Sequence, residues 1–145
     1  MTVTFCGHGD TICDKSLTEK LTDCIDALIQ EGATRFYLGG YGNFDILAAQ
    51  IVKNIKKRNP EIKSVLVIPY LDRKYDLSLY DESVYPPIES VPKRYAISKR
   101  NEWMVDHSDV VVSYVLHGFG GAATSLRYAE RKKKHIISLA SKPRS

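Results

Sequence analysis

Long hydrophobic runs are missing: nowhere in the chain do apolar residues approach the ~20 in succession that cross a bilayer. No membrane partner is therefore expected. Cysteine is scarce and unpatterned. Cys6, Cys13 and Cys24 form an odd set without CxxC spacing, which argues against a disulfide scaffold or a thiolate zinc site and for reduced thiols in a cytosolic setting. His8, His107, His117 and His135 are scattered without an HExxH pair, so no metal is expected. No Gly-Lys-Ser/Thr follows a glycine cluster and no nucleophile elbow is present, which disfavours ATP hydrolysis and a Ser-His-Asp triad. No resident cofactor is expected. The opening MTVTFCGHGD lacks the layout of a signal peptide, and the expectation is a cytoplasmic protein.

A strong charge of one sign is also absent. The formal net charge is +4, and the densest basic block, 131–134, ends the last expected helix, where cations complement the helix dipole. A nucleic-acid partner is accordingly not expected. What is present is the ordinary balance of a globular protein, 43% hydrophobic and 26% charged. Its 145 residues suit one domain, 1–145, burying about two thirds of the unfolded surface.

Apolar periodicity alternates between strand and helix. Residues 3–6 read as a strand. Ser16-Leu-Thr-Glu19 has capping-box spacing ahead of a helix whose apolar face is Leu17, Leu21, Cys24, Ile25, Leu28 and Ile29, and Gly32 ends it. A strand at 35–38 precedes a helix with Phe44, Leu47, Ala48, Ile51, Val52 and Ile55 inward, stopped at Asn59-Pro60. A third strand at 64–69 leads into a Tyr/Pro-rich insert at about 70–95, suited to a lid or a subunit contact. A helix at 96–107, a strand at 109–116, a helix at 122–133 and a strand at 135–139 complete the series. Trp103 and Met104 read as core. The expected fold is α/β, a Rossmann-like, doubly wound, mainly parallel five-stranded sheet with helices on both faces.

Such sheets bind ligands beyond the carboxyl ends of their strands. Three loops there carry glycine: Cys6-Gly7-His8-Gly9-Asp10, the segment from Gly39 and Gly40 to Asp45, and His117-Gly-Phe-Gly-Gly-Ala-Ala-Thr124. In the third, Gly118, Gly120 and Gly121 let a ligand close to the backbone, and the following helix aims unpaired N–H groups at an anion. His8, Asp10 and Asp45 could meet a ribose or a base, or equally serve the turns.

Residues 100–124 resemble the SLOG superfamily, the Rossmann-like group that includes the Lonely Guy, DprA-type and YpsA-type proteins. Lys99-Arg100-Asn101, Met104 and Ser108-Asp109 fall at the spacing of the Lonely Guy ERK–x–x–M–x–x–x–SD segment. After an apolar strand, Phe119-Gly120-Gly121-Ala122-Ala123-Thr124 aligns with PGGxGT. The resemblance implies a site arginine at Arg100 and a phosphate loop at Gly120, Gly121, Ala122 and Thr124. It also implies either release of a base from nucleoside monophosphates or retention of an ADP-ribose-like nucleotide, and it is compatible with a homodimer or higher homo-oligomer.

Two positions depart from the pattern. Ala123 replaces a third glycine, and Arg127 stands where the motif ends in glutamate. That carboxylate would stabilise the cation formed as an N-glycosidic bond breaks. At about 4 Å and an effective dielectric near 20 a unit-charge interaction is roughly 4 kcal/mol, so reversing its sign costs up to ~8 kcal/mol. The expectation is a protein that binds a nucleotide-derived small molecule and senses or sequesters it, with Arg127 available for a second phosphate. The alternative is a Lonely Guy-like N-glycosidase using a rearranged acid: Asp10, Asp45, Glu102 or Glu130.

Overall fold

The computed structural model describes residues 1–140. Six strands, β1 (Thr2–Gly7), β2 (Arg35–Leu38), β3 (Lys63–Val67), β4 (Glu82–Val84), β5 (Val110–Tyr114) and β6 (His135–Ser138), form one sheet in the order β4-β3-β2-β1-β5-β6. Every neighbouring pair is parallel. Successive strands extend to one side of β1 as far as β4, and the chain then crosses back to lay β5 on its other side. The topological switch therefore lies between β1 and β5, where Val3 pairs with Val110 and Gly7 with Tyr114.

Four helices connect the strands: α1 (Lys15–Gln30), α2 (Asn43–Lys56), α3 (Ala96–Asp106) and α4 (Gly121–Arg131). Strand alternation divides the core between them. Val3, Phe5, Val110 and Val112 pack with α1 and α2, against Leu21, Ile25, Phe44, Val52 and Ile55. Cys6 and Val111 face the other way, to Val105 of α3 and Ala129 of α4. The second cluster is much the smaller, and that thinner packing leaves room for a cavity between the sheet and α3 and α4. Among the described residues no helix is long and apolar enough to cross a membrane.

Two expectations need correction. The sheet has six strands, not five, because the insert contributes β4, an edge strand of three residues. Its sequence, Glu-Ser-Val, has no apolar pattern; polar contacts hold it instead. Arg35 reaches Glu82 at 2.7 Å, Asp81 accepts from the Ser64 backbone at 2.8 Å, and Lys56 pairs with Asp81 at 2.7 Å. The start of α1 is also earlier than the capping box implied. Asp14 is the cap, its carboxylate accepting from Leu17 N at 2.9 Å, so Ser16 and Glu19 fall inside the helix. Gly32 follows the last turn at φ +107, as a terminating glycine should.

Candidate functional site

At the switch point a cavity of about 230 Å³ opens between the end of β1 and helices α3 and α4. One wall is Cys6, Gly7, Gly9, Tyr41 and Asp45; the other is Ile97, Arg100, Asn101 and Met104 of α3 with Gly121, Ala122 and Ser125 of α4. Of the residues expected at a site, Gly7, Gly9, Asp45, Arg100, Gly121 and Ala122 thus come together here. Burial pushes the Cys6 thiol up to about 12, which makes it an inert wall residue. Among the described residues no three His, Cys, Asp or Glu side chains are placed to hold a metal ion.

Asp45 and Arg100 form the charged end of this cavity. Asp45 sits in the first turn of α2, and its Oδ2 accepts from Gly39 N at 2.8 Å. Burial pushes its carboxyl up to about 6, against the pull of Arg100 and of the Gly39 and Gly40 N–H groups. Arg100 is itself buried. Its Nη1 donates to Gly39 O and Val67 O, both at 2.9 Å, and its Nε to Asn101 Oδ1 at 2.9 Å. Burial lowers its pKa while Asp45 supports its charge. The guanidinium expected to grip a phosphate therefore fastens α3 to the ends of β2 and β3, and among the described residues Nη2 has no protein acceptor. Gly39 and Gly40 lie behind the pair and do not line the cavity; Gly40 takes φ +72.

The first loop is divided between two tasks. Gly7 and Gly9 line the cavity, whereas His8 is buried away from it. His8 Nε2 accepts from Leu116 N at 3.0 Å, and its ring stacks on His117 at 3.7 Å, which stacks on Phe119 at 3.8 Å. Burial and His117 lower the His8 pKa, with Asp10 opposing, so the neutral acceptor form is favoured. Asp10 is exposed and does not line this cavity.

The third loop delivers α4 with an open N-terminus. Gly120 is the cap residue at φ +90, a conformation reserved for glycine, and no side chain caps the first turn. Nothing lies within 4 Å of a Cβ built on Gly118, Gly120 or Gly121. Thr124 is exposed, and its hydroxyl donates back to Gly120 O at 3.1 Å. Arg127 folds onto the loop, its Nη1 donating to Gly118 O at 2.9 Å, and it does not line this cavity. Tyr41, Ile97 and Ser125 were not expected in the site. Ile97 precedes Arg100 by one helical turn and Ser125 follows Gly121 by one, so helical spacing from the motif residues could have found both.

No family model matches the chain. The SPbeta prophage-derived protein YoqJ of Bacillus subtilis (strain 168) is 29% identical over 79% of this chain and 81% of its own length. The molybdenum cofactor binding protein of Rippkaea orientalis superposes with a TM-score of 0.67 at 17% identity, covering 97% of this chain and 77% of that one. DNA processing protein A from Helicobacter pylori, solved for its single-stranded DNA binding mode, also gives 0.67, at 20% identity over 98% of this chain and 66% of that one. The chain shares the fold of these two proteins. On that fold, the third glycine loop leads directly into the cavity wall at Gly121 and Ala122. The position of the motif glutamate is an arginine turned away from that wall and onto Gly118.

Proposed function

We propose that this protein binds a nucleotide or nucleotide-derived ligand at the strand ends, with a phosphate on the first turn of α4, and that it senses or sequesters that ligand. One observation carries this reading. The switch-point cavity is walled by an uncapped helix N-terminus whose glycine approach is open on every side that a Cβ would occupy. Ile97, Met104 and Tyr41 offer apolar and aromatic surface to a base, and Asp45 offers an acceptor to a ribose hydroxyl. ADP-ribose-type nucleotides are the class the SLOG resemblance implies. Cytoplasmic action suits the three unpaired thiols, Cys6, Cys13 and Cys24. A homodimer would cover Leu71 and Leu77, which the insert leaves 68% and 45% exposed; light scattering would measure it.

Calorimetry with AMP and ADP-ribose tests the reading. Gly121→Asp should lower affinity at least tenfold at an unchanged melting temperature, because it adds bulk and negative charge where the backbone is open. Unaltered affinity would remove this loop as the phosphate site.

A second reading is favoured by Asp45. Of Asp10, Asp45, Glu102 and Glu130, only Asp45 lines this cavity, and its carboxyl titrates near a working pH for acid–base chemistry. If the protein cleaves nucleoside monophosphates, chromatography will detect released base, and Asp45→Asn will slow that release at least a hundredfold. No release from the wild type rules the hydrolase out.

A further inference from the structure

A second cavity, of about 270 Å³, lies beside the first in the groove between α3 and α4. The two share Ile97, Asn101, Gly121 and Ser125, so the groove is continuous and the start of α4 stands at its middle. Ligand pockets run from about 300 to 1,000 Å³. Each cavity alone falls short of that range, and together they lie within it. The two ends differ in chemistry. The first sets the opposite charges of Asp45 and Arg100 in a largely apolar lining, whereas the second holds Arg94 and Arg131 among Ser98, Thr124 and Tyr128. Its carboxylate, Glu102, is engaged by Lys99 at 3.4 Å.

Arg94 and Arg131 are arranged alike. Neither has a carboxylate partner among the described residues. Each guanidinium lies instead over a tyrosine, Arg94 at 4.8 Å from the Tyr95 ring centre and Arg131 at 5.5 Å from that of Tyr128. A guanidinium within cation–π reach of a ring is held beside it without spending its N–H donors, which leaves them for a tetrahedral oxyanion. Arg127, which the sequence offered for a second phosphate, is committed to Gly118 O outside the groove.

We propose that Arg94 and Arg131 form a subsite for a second anionic group of the same ligand. This rests on the nucleotide-binding reading and narrows it. The nucleoside occupies the switch-point cavity, its α-phosphate sits on the Gly121 turn, and a β-phosphate extends into the second cavity. The ligand class is then a nucleoside diphosphate or an ester of its β-phosphate.

Calorimetry of the full chain with AMP and with ADP tests the subsite. ADP should bind at least tenfold tighter than AMP. The Arg94→Ala/Arg131→Ala double variant should bring ADP down to the AMP affinity while changing AMP binding less than twofold. Its melting temperature should stay that of the wild type, since both side chains are exposed and donate no protein hydrogen bond among the described residues. Equal wild-type affinities for AMP and ADP, or an ADP affinity untouched by the double variant, would overturn the subsite and leave nucleotide binding standing. Failure of both nucleotides to bind the wild type would overturn both.

Discussion

Gly7 and His8 are adjacent residues that face in different directions, and each makes a different demand on the loop after β1. A Cβ on Gly7 would clash with the base of the Phe44 side chain, which is fully buried and has little room to yield. Gly7→Ala should therefore cost about 1–3 kcal/mol by overpacking, measurable by urea denaturation. His8 holds the other side through its Nε2 acceptor to Leu116 N. Protonation would convert that acceptor to a donor facing a donor. Because the folded pKa is depressed, the unfolded chain takes up a proton near its ordinary value of about 6.5 that the folded chain resists. His8 thus favours the fold above that pH and loses this contribution as pH falls through the interval down to its folded value. His8→Gln, which stays neutral, should lose less stability than the wild type between pH 7.5 and 5.5. Identical losses would show that His8 does not couple the glycine loop to pH. Sequence left His8 undecided between ligand and turn because its partner is more than a hundred positions away.

At the level of elements, α4 is the part of the site most legible in advance. An apolar strand, glycines and a helix follow one another locally, and local order is what periodicity and turn chemistry report. Gly120→Ala should cost about 1–3 kcal/mol, since φ +90 strains any side chain, and should weaken ligand binding by shifting the first turn. Equal stability in thermal melts would mean that the loop relaxes elsewhere. The short edge strand β4 was not legible, because a three-residue strand held by Arg35, Lys56 and Ser64 leaves no period to detect. The insert's tyrosines do not line the cavity, which takes its tyrosine from Tyr41, alone between two glycine positions of the β2–α2 loop and without a pattern to mark it. The role of Arg100 was obscured in the same way, since its backbone acceptors on Gly39 and Val67 converge only after the sheet has formed.

Across the whole molecule, the two core clusters are unequal, and the charged pair of the site lies where packing is thin. Arg100 joins α3 to two strand ends, so most of its value is structural, whereas Asp45 is a net cost to the fold. Its carboxyl titrates at about 6 when folded, against an ordinary 3.8. At pH 7 the group is ionised in both states, and the folded state bears the part of the desolvation penalty that Arg100 and the Gly39 and Gly40 N–H groups do not offset. Between about pH 6 and pH 4 the folded chain binds the proton first, so this penalty is relieved as pH falls, opposite in sign to the effect of His8. Asparagine has the shape of the protonated acid and can still accept from Gly39 N. Asp45→Asn should therefore stabilise the protein at pH 7 by up to about 3 kcal/mol, the free energy of a shift of that size. The gain should shrink to nothing near pH 4. A carboxylate kept at such a cost, in the wall of the cavity, is what a ligand site would retain against stability. If denaturation at pH 7 shows the variant no more stable than the wild type, Asp45 is instead a favourable partner of Arg100, and its place in the site is owed to the fold.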